Sequence, residues 1–541
     1  MRPSGFRGIF RDDELARAVY SEAAGIARII PRAVAVPADA DDVRALLLWA
    51  HDTKTSLIPR GSGSGMAGGA VGEGVIVDLS QLCGVEKIDE TWRRVWCGPG
   101  ATRAEVNETA RKHGLRFPVD PSSGAFATMG GMAATNAAGA HSMRYGAMRS
   151  WVTALDCIFE DGSRGTVRRG APLPPDIPAL QRFRQLAHPA ILEVPGRLRA
   201  HPGVRKDSSG YAIADYARSG ELVDLLIGSE GTLALFVGVE VSLMPIPAAT
   251  CSLLAEFASV VQAVDAAARA RAGGASACEL IDRTFIQVAR SGGADIGIMD
   301  GTETVLLVEI EAGDPVSAAA MAQQLENVFG GAGAIRTRVA LDPAAEAELW
   351  TLRHAASPIL SRLDPTLKSM QFIEDGAVPP EKLAAYVRGV RKALEERGIR
   401  SVIFGHAGDG HIHVNPLVDT SDARWHAMIE QVMDEVTKLV ASLGGTVSGE
   451  HGDGRLRTPI LDRIWSEEAR KVFKVVKDAF DPAGILNPGV KIPIDGRRSI
   501  EDVKYDPTLP PLPTAARTAL DNIERDRAWQ RHRLALVDGE D

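Results

Sequence analysis

Three of the chain's 12 histidines fall in one run, Phe404-Gly405-His406-Ala407-Gly408-Asp409-Gly410-His411-Ile412-His413-Val414-Asn415-Pro416. Side chains alternate across a strand, so His411, His413 and Asn415 share one face and Ile412 and Val414 the other. The glycine-rich turn before them lets His406 fold back towards that face. A second run, Ser448-Gly449-Glu450-His451-Gly452-Asp453-Gly454-Arg455, sets a carboxylate beside another imidazole. Two imidazoles and one carboxylate, with a position left open, are a common catalytic zinc set, with ligands at roughly 2.0–2.2 Å. A lone histidine is more often a packing or hydrogen-bonding residue, and a Gly-Asp-Gly turn is by itself only a turn. Four candidate ligands in two glycine-rich loops are hard to explain as packing.

The second chemistry-bearing feature is bare backbone. The chain has 54 glycines and only 5% aromatic residues. Gly63, Gly65 and Gly68 fit GxGxxG, but a dinucleotide fingerprint of the Rossmann type must open a helix. Here the following residues run into a strand, and no GK[ST] is present. What remains is Pro59-Arg60-Gly61-Ser62-Gly63-Ser64-Gly65-Met66, a row of free amides beside a cation. Such a row makes an anion nest, for which a diphosphate is the natural occupant and a flexible surface turn the bland alternative. A second cluster joins Asp120-Pro121-Ser122-Ser123 to Thr128-Met129-Gly130-Gly131-Met132-Ala133-Ala134-Thr135-Asn136-Ala137-Ala138-Gly139. A third is Gly228-Ser229-Glu230-Gly231-Thr232-Leu233. Runs of small residues let a large flat ligand lie against backbone.

These loops need elements to carry them. Residues 33–37 read as a strand, 39–53 as a helix capped by Asp39 or Asp41, and 56–59 and 74–79 as strands. Strand-like runs recur at 153–159 and 233–243. Near Pro245 and Pro247 the texture changes. Strands at 252–257 and 305–310 then alternate with helices at 260–272 and 316–329, the pattern of an α+β domain. Further strands fall at 401–404 and 411–414, and a helix at 469–479. After Ile494 the chain is polar and proline-rich, and 514–534 reads as a charged helix with a poor apolar stripe. The expected division is 1–247, 248–445, a segment 446–494 completing the site, and a polar tail or docking arm at 495–541.

Composition sets the outer limits. Of 541 residues, 70 are acidic and 61 basic, a formal charge of −9, which argues against nucleic acid as a partner. The amino terminus has no apolar run of a secretory signal, and the most apolar stretch, 222–244, is broken by Asp224, Glu230 and Glu240. The five cysteines form no CxxC pair, against a disulfide framework or a cysteine-ligated Fe–S cluster. The expectation is a cytoplasmic protein, peripheral to a membrane at most, with a homodimer left open.

Residues 60–65, 128–139 and 228–233 together resemble the FAD-binding domain of the vanillyl-alcohol oxidase (PCMH-type) flavoprotein superfamily. The runs around His406 and Glu450 resemble the C-terminal FAD-linked oxidase domain of the D-2-hydroxyacid dehydrogenases. The resemblance implies an α+β chain: a PCMH-type FAD-binding domain followed by an α+β substrate or cap domain. It places the diphosphate on the loop after Arg60 and the ribityl chain and isoalloxazine along 128–139. It places the adenosine half at Glu230 and returns Asn487 to the flavin. No histidine lies in the 60–69 loop, so FAD is expected to be noncovalent. By the same match His406, His413 and Glu450 hold a divalent metal, expected to be zinc. Asn415 and His451 face the substrate, Arg353 of Trp350-Thr351-Leu352-Arg353 binds its carboxylate, and Ser357 and Lys368 complete the pocket. The family usually has Asn where this chain has His411.

The implied reaction is oxidation of a D-2-hydroxy acid, such as lactate, glycolate or 2-hydroxyglutarate, to the 2-oxo acid. A hydride passes to flavin N5, a metal activates the hydroxyl, and His451 serves as base, since free imidazole titrates near ~6.5. Electrons then leave to a quinone, a cytochrome, an electron-transfer flavoprotein or a separate Fe–S protein. The rival readings are a flavin subunit that only relays electrons and a zinc hydrolase whose glycine loops bind a nucleotide.

Overall fold

The computed structural model describes residues 2–198, 200–291, 297–360 and 366–538; the side chains of 197 and 354–360, and so that of Ser357, lie outside the description. The amino-terminal part opens as strand Ala33–Val36, helix Ala40–Thr53, strand Leu57–Arg60 and strand Val75–Asp78. Asp39 starts the helix by accepting from the Asp42 N–H, the role of an N-cap carboxylate. Both Ala33–Val36 and Leu57–Arg60 run parallel to Val75–Asp78. The first glycine cluster is therefore the crossover between two neighbouring parallel strands, and it carries no helix. A second sheet orders Arg94–Cys97, Leu235–Ser242, Val152–Ile158 and Arg164–Arg168, all antiparallel.

After Ser242 the chain enters a larger antiparallel sheet. Its order is Arg336–Ala340, Ala249–Phe257, Thr304–Ala312, Ala277–Asp282, Arg400–His406, His411–Asp419 and Leu367–Ser369, with Gly376–Ala377 also paired to His411–Asp419. Both faces are covered, which follows from the alternation along each strand. Leu253 and Ala255 face the core that includes helices Val260–Ala272, Pro315–Gly331, Leu383–Glu395 and Trp425–Ser442. Leu254 faces helices Arg283–Ser291 and Pro343–Leu360. Strand Ala277–Asp282 is the element the sequence hides. It sits inside the sheet with Glu279 and Asp282 buried, and two acids in six residues do not read as a core strand.

The chain then returns to its start. Helix Glu467–Phe480 packs Phe480 against Phe159 and Phe183 of the amino-terminal core, and Leu486 forms a parallel bridge with Leu57. The segment expected as a polar tail or docking arm packs back in part, burying Ile500 and Val503 and one face of a helix. Helix Thr514–Asp526 buries Ala516, Ala519, Leu520 and Ile523, an i, i+3, i+4, i+7 stripe. Three of these meet Ala16, Val19, Tyr20, Ile58 and Ile76. Two of the four are alanines, so the stripe is hard to see among the surrounding charges. No helix of the described residues is long and apolar enough to cross a membrane.

Candidate active site

One cavity of about 730 Å3 joins the glycine clusters to the histidines. That lies within the roughly 300–1,000 Å3 usual for small-molecule and cofactor sites. Its lining takes Arg60, Gly61, Ser62, Gly63, Ser64, Gly65 and Met66 from the first loop, and Ser122, Thr128, Gly130, Gly131 and Thr135 from the second. Glu230 comes from the third, and Lys368, His413, Asn415, Glu450 and His451 from the large sheet and the loop after it. A Cβ on Gly65 would meet no heavy atom within 4 Å, so this part of the loop faces open space. The second cluster is not a loop throughout. Thr128 caps a short helix, Met129–Thr135, by accepting from Gly131 N–H, and a Cβ on Gly130 would come within 2.5 Å of Pro99. The small residues let this helix seat against Pro99 while presenting backbone to the cavity. The residues fit FAD: a bare amide loop for phosphates, a small-residue wall for a flat ring, and room for both.

Several expected cofactor residues shape the cavity from behind and do not line it. Asp120 is held by His141, whose Nδ1 lies 2.5 Å from its carboxylate and whose N–H donates to it at 3.1 Å. Asn136 adopts φ 53° and accepts from Arg149 N–H at 3.0 Å. The Gly139 carbonyl accepts from Lys206 Nζ at 3.1 Å. Asn487 donates to the Glu230 carbonyl at 2.8 Å and the Gly69 carbonyl at 3.1 Å. Glu230 itself lines the cavity, but its carboxylate accepts from the Asp453 and Gly454 N–H groups and pairs with Lys491 at 2.9 Å. The carboxylate expected at the adenosine instead ties the loop after His451 to the amino-terminal part. The Arg60 guanidinium donates to the carbonyls of Tyr20, Glu22 and Ala70, so it buttresses the glycine loop from below.

At the other end, His406 Nε2 and His413 Nε2 converge on Glu450 Oε1 at 3.4 and 3.3 Å. Ligands at about 2.1 Å from a common tetrahedral ion stand roughly 3.4 Å apart. The far nitrogen of each ring is also held, as metal-bound imidazoles usually are. His406 Nδ1 lies 2.5 Å from Glu279, and His413 Nδ1 lies 3.2 Å from the Glu374 carbonyl. All three groups are buried. The donor set fits a divalent cation such as zinc. Burial opposes the charged form of Glu450, but Lys206 Nζ at 2.8 Å and His406 hold its pKa well below the usual carboxylate range. His411 is drawn into the same cluster, but its Nε2 lies 2.9 Å from Asp375, and burial lowers its pKa to about 4.

His451 stands at the cavity edge with 27% of its side chain exposed. Its Nδ1 lies 2.9 Å from Glu374, whose other oxygen is paired with Arg457. Burial works against protonation of His451, but Glu374 and Asp375 outweigh it and lift its pKa to about 10. The free-imidazole value behind the expectation of a base at neutral pH is thus shifted upward by these two carboxylates. Arg353 lies beside the cluster but not on the cavity wall. Its Nε donates to Glu279 at 2.8 Å, and it stacks over Phe404, which does line the cavity. Lys368 is the cation of the pair that faces the cavity, near the Tyr505 ring.

Comparisons with known proteins bear on the fold and on the cofactor. Residues 31–168 match the model of an FAD binding domain, and residues 246–490 match that of the FAD linked oxidases, C-terminal domain. The D-lactate dehydrogenase of Archaeoglobus fulgidus is 30% identical over 470 residues, covering 85% of this chain and 92% of that one. The chain belongs to the FAD-linked D-2-hydroxyacid dehydrogenase family. The glycolate oxidase subunit GlcD of Bacillus subtilis is 27% identical, over 91% of this chain and 95% of that one. The D-2-hydroxyglutarate dehydrogenase of Pseudomonas putida is 28% identical over 98% of this chain but only 54% of its own length. The fold is shared with 4-ethylphenol oxidase from Gulosibacter chungangensis and p-cresol methylhydroxylase, each at a TM-score of 0.63 with 16% and 14% identity. These cover 90% of this chain and 95% and 94% of theirs. The chain is thus an FAD-linked oxidoreductase with the PCMH-type architecture its glycine clusters suggest. Within this family member, sequence reasoning missed Lys206, Glu279, Glu374, Asp375 and Arg457 as parts of the site. Glu374 and Asp375 are adjacent acids whose partners, His451, His411 and Arg457, come from other segments of the chain. A lysine in a polar loop such as 204–210 carries no signal of burial.

Proposed function

We infer that the protein oxidises a D-2-hydroxy acid to the 2-oxo acid. The observation that supports this most is the convergence of His406 and His413 on Glu450, with His413 and Glu450 in the wall of the cavity that also holds the glycine cradle. A site for a Lewis-acidic cation beside a flavin suits dehydrogenation of an alcohol next to a carboxylate, whereas an electron relay needs no such set. Bound FAD supplies the two-electron acceptor. A divalent cation, zinc by preference, held by His406, His413 and Glu450 would supply Lewis acidity towards the hydroxyl.

The chain's own groups do the rest. Lys368 and Asn415 face the cavity and orient the acid, with Lys368 gripping a carboxylate. Arg353, off the cavity wall, supports them through Phe404 and Glu279. His451, its Nδ1 held by Glu374, is the group placed to exchange the hydroxyl proton at Nε2, and it accepts that proton only from the neutral state that Glu374 and Asp375 disfavour. A cation's charge opposes the lift that Glu374 and Asp375 give this imidazole. Lys206 keeps Glu450 ionised and in place. An external acceptor, such as a quinone, a cytochrome, an electron-transfer flavoprotein or a separate Fe–S protein, would take up the electrons.

Anaerobic addition of D- and L-2-hydroxy acids to the FAD-loaded chain tests this, with metal analysis of the same sample. Bleaching of the flavin band by at least one D-acid and not by its L-enantiomer is expected. A yellow protein that no member of the panel reduces would sink the reading and favour an electron-relay role.

A further inference from the structure

The C-terminal segment closes the cofactor cavity. Glu524, Arg527 and Trp529 lie in its wall, and Arg527 donates to the Ser122 carbonyl at 3.3 Å. Behind the first glycine loop the same segment inserts Arg533, only 3% exposed, which stacks over Trp529 and donates from Nη2 to the Ser62 carbonyl at 3.3 Å. Its Nε and Nη1 are buried without a hydrogen-bond partner, and so is the Nε of the neighbouring Arg60. The acids that face this pair offset its charge only in part, since burial still lowers the pKa of both guanidiniums. Asp78 accepts from the Tyr20 hydroxyl at 2.5 Å, and Glu524 pairs with Lys504. Burial and the charge of Arg60 push the Arg533 pKa down to about 9.

Two buried guanidiniums side by side, with donors left over, are costly to a folded chain unless an anion compensates them. The amide loop they support faces the cavity and suits an anion. We propose that Arg533, carried in by the C-terminal segment, is a cofactor-positioning residue that supplies positive charge behind the glycine loop for the FAD diphosphate. This makes residues 514–538 part of the cofactor site. It rests on the placement of FAD in this cavity.

The test uses the full chain, stripped of flavin, in wild-type form and as Arg533→Met and Arg533→Lys. FAD affinity is read by flavin fluorescence titration at low and high salt, and stability by thermal melting without flavin. Arg533→Met is expected to weaken FAD binding at least tenfold and to flatten its salt dependence. Its flavin-free melting temperature should stay level or rise, because an uncompensated charge is gone. Arg533→Lys should restore most of the affinity. Any other combination overturns the role of Arg533: affinity within twofold of wild type, or loss of affinity with a lowered melting temperature and no rescue by lysine. A wild-type chain that takes up no FAD would instead sink the cavity's assignment, and this proposal with it.

Discussion

Glu279 shows what a single residue does here that its neighbours in sequence do not announce. It is fully buried, and it joins His406 to Arg353. Burial favours its neutral form, but the two cations hold it ionised, far below the ordinary carboxylate range. Removing such an outer partner of a metal-binding imidazole usually costs about 10–100-fold in metal affinity or activity. Glu279→Gln should therefore weaken zinc binding by about that factor, read by competition with a coloured chelator; unchanged affinity would mean that His406 is not a ligand. Arg457 poses a stability question. It is 1% exposed and pairs with both Glu374 and Asp375. Arg457→Met leaves two buried carboxylates short of a partner, an arrangement that costs about 3–5 kcal/mol. Urea unfolding would show it as a lower midpoint, and a midpoint equal to wild type would refute the claim. The alternation of His411, His413 and Asn415 was legible in the sequence. Glu279, more than a hundred residues from His406, was not, because nothing local marks an acid that a distant imidazole will neutralise.

At the scale of elements, the two halves are latched by charge. His141, at the start of the short helix Ser142–Tyr145, touches Asp120 on one side and Glu309 of strand Thr304–Ala312 on the other, at 2.5 and 2.6 Å. Glu311 lies 3.9 Å away and is itself paired with Arg116, while Arg103 faces Asp120. Burial disfavours the imidazolium, but Asp120 and Glu309 outweigh it and raise its pKa well above 6.5. The folded chain therefore holds this proton more tightly than the unfolded one. The contribution is complete below about 6.5 and disappears as pH rises through the raised folded value. The stability difference between wild type and His141→Gln should shrink as pH climbs from 6.5 into the alkaline range, measured by urea unfolding across pH. A difference that grows with pH would reverse the assignment. The helices and strands around this latch follow from apolar periodicity and caps. The buried acids on its strands do not, because their partners come from the other half of the chain.

For the whole molecule, the deciding feature is that one cavity draws its wall from Ala24 to Trp529. That wall takes residues from both parts and from the C-terminal segment, so a cofactor bound there should stabilise them together. At a free FAD concentration of 100 times Kd, mass action gives about 2.7 kcal/mol. The melting transition should rise with FAD concentration and remain single; an upward shift confined to an early partial transition would show that the halves melt apart. The net charge of −9 acts at this scale too: on the proposed reading an anionic acid would be drawn in by local cations such as Lys368, which lines the cavity.

The sequence by itself determined the glycine cradle, the alternating histidines and the order of the two parts, because each depends on neighbours within a few residues. Only the tertiary structure decided that Lys368 faces the cavity while Arg353 pairs with Glu279. It also decided that Glu230 binds backbone amides and that the polar C-terminal segment forms part of the cavity wall. Those outcomes depend on which charges meet after burial, and burial is set by packing between segments hundreds of residues apart.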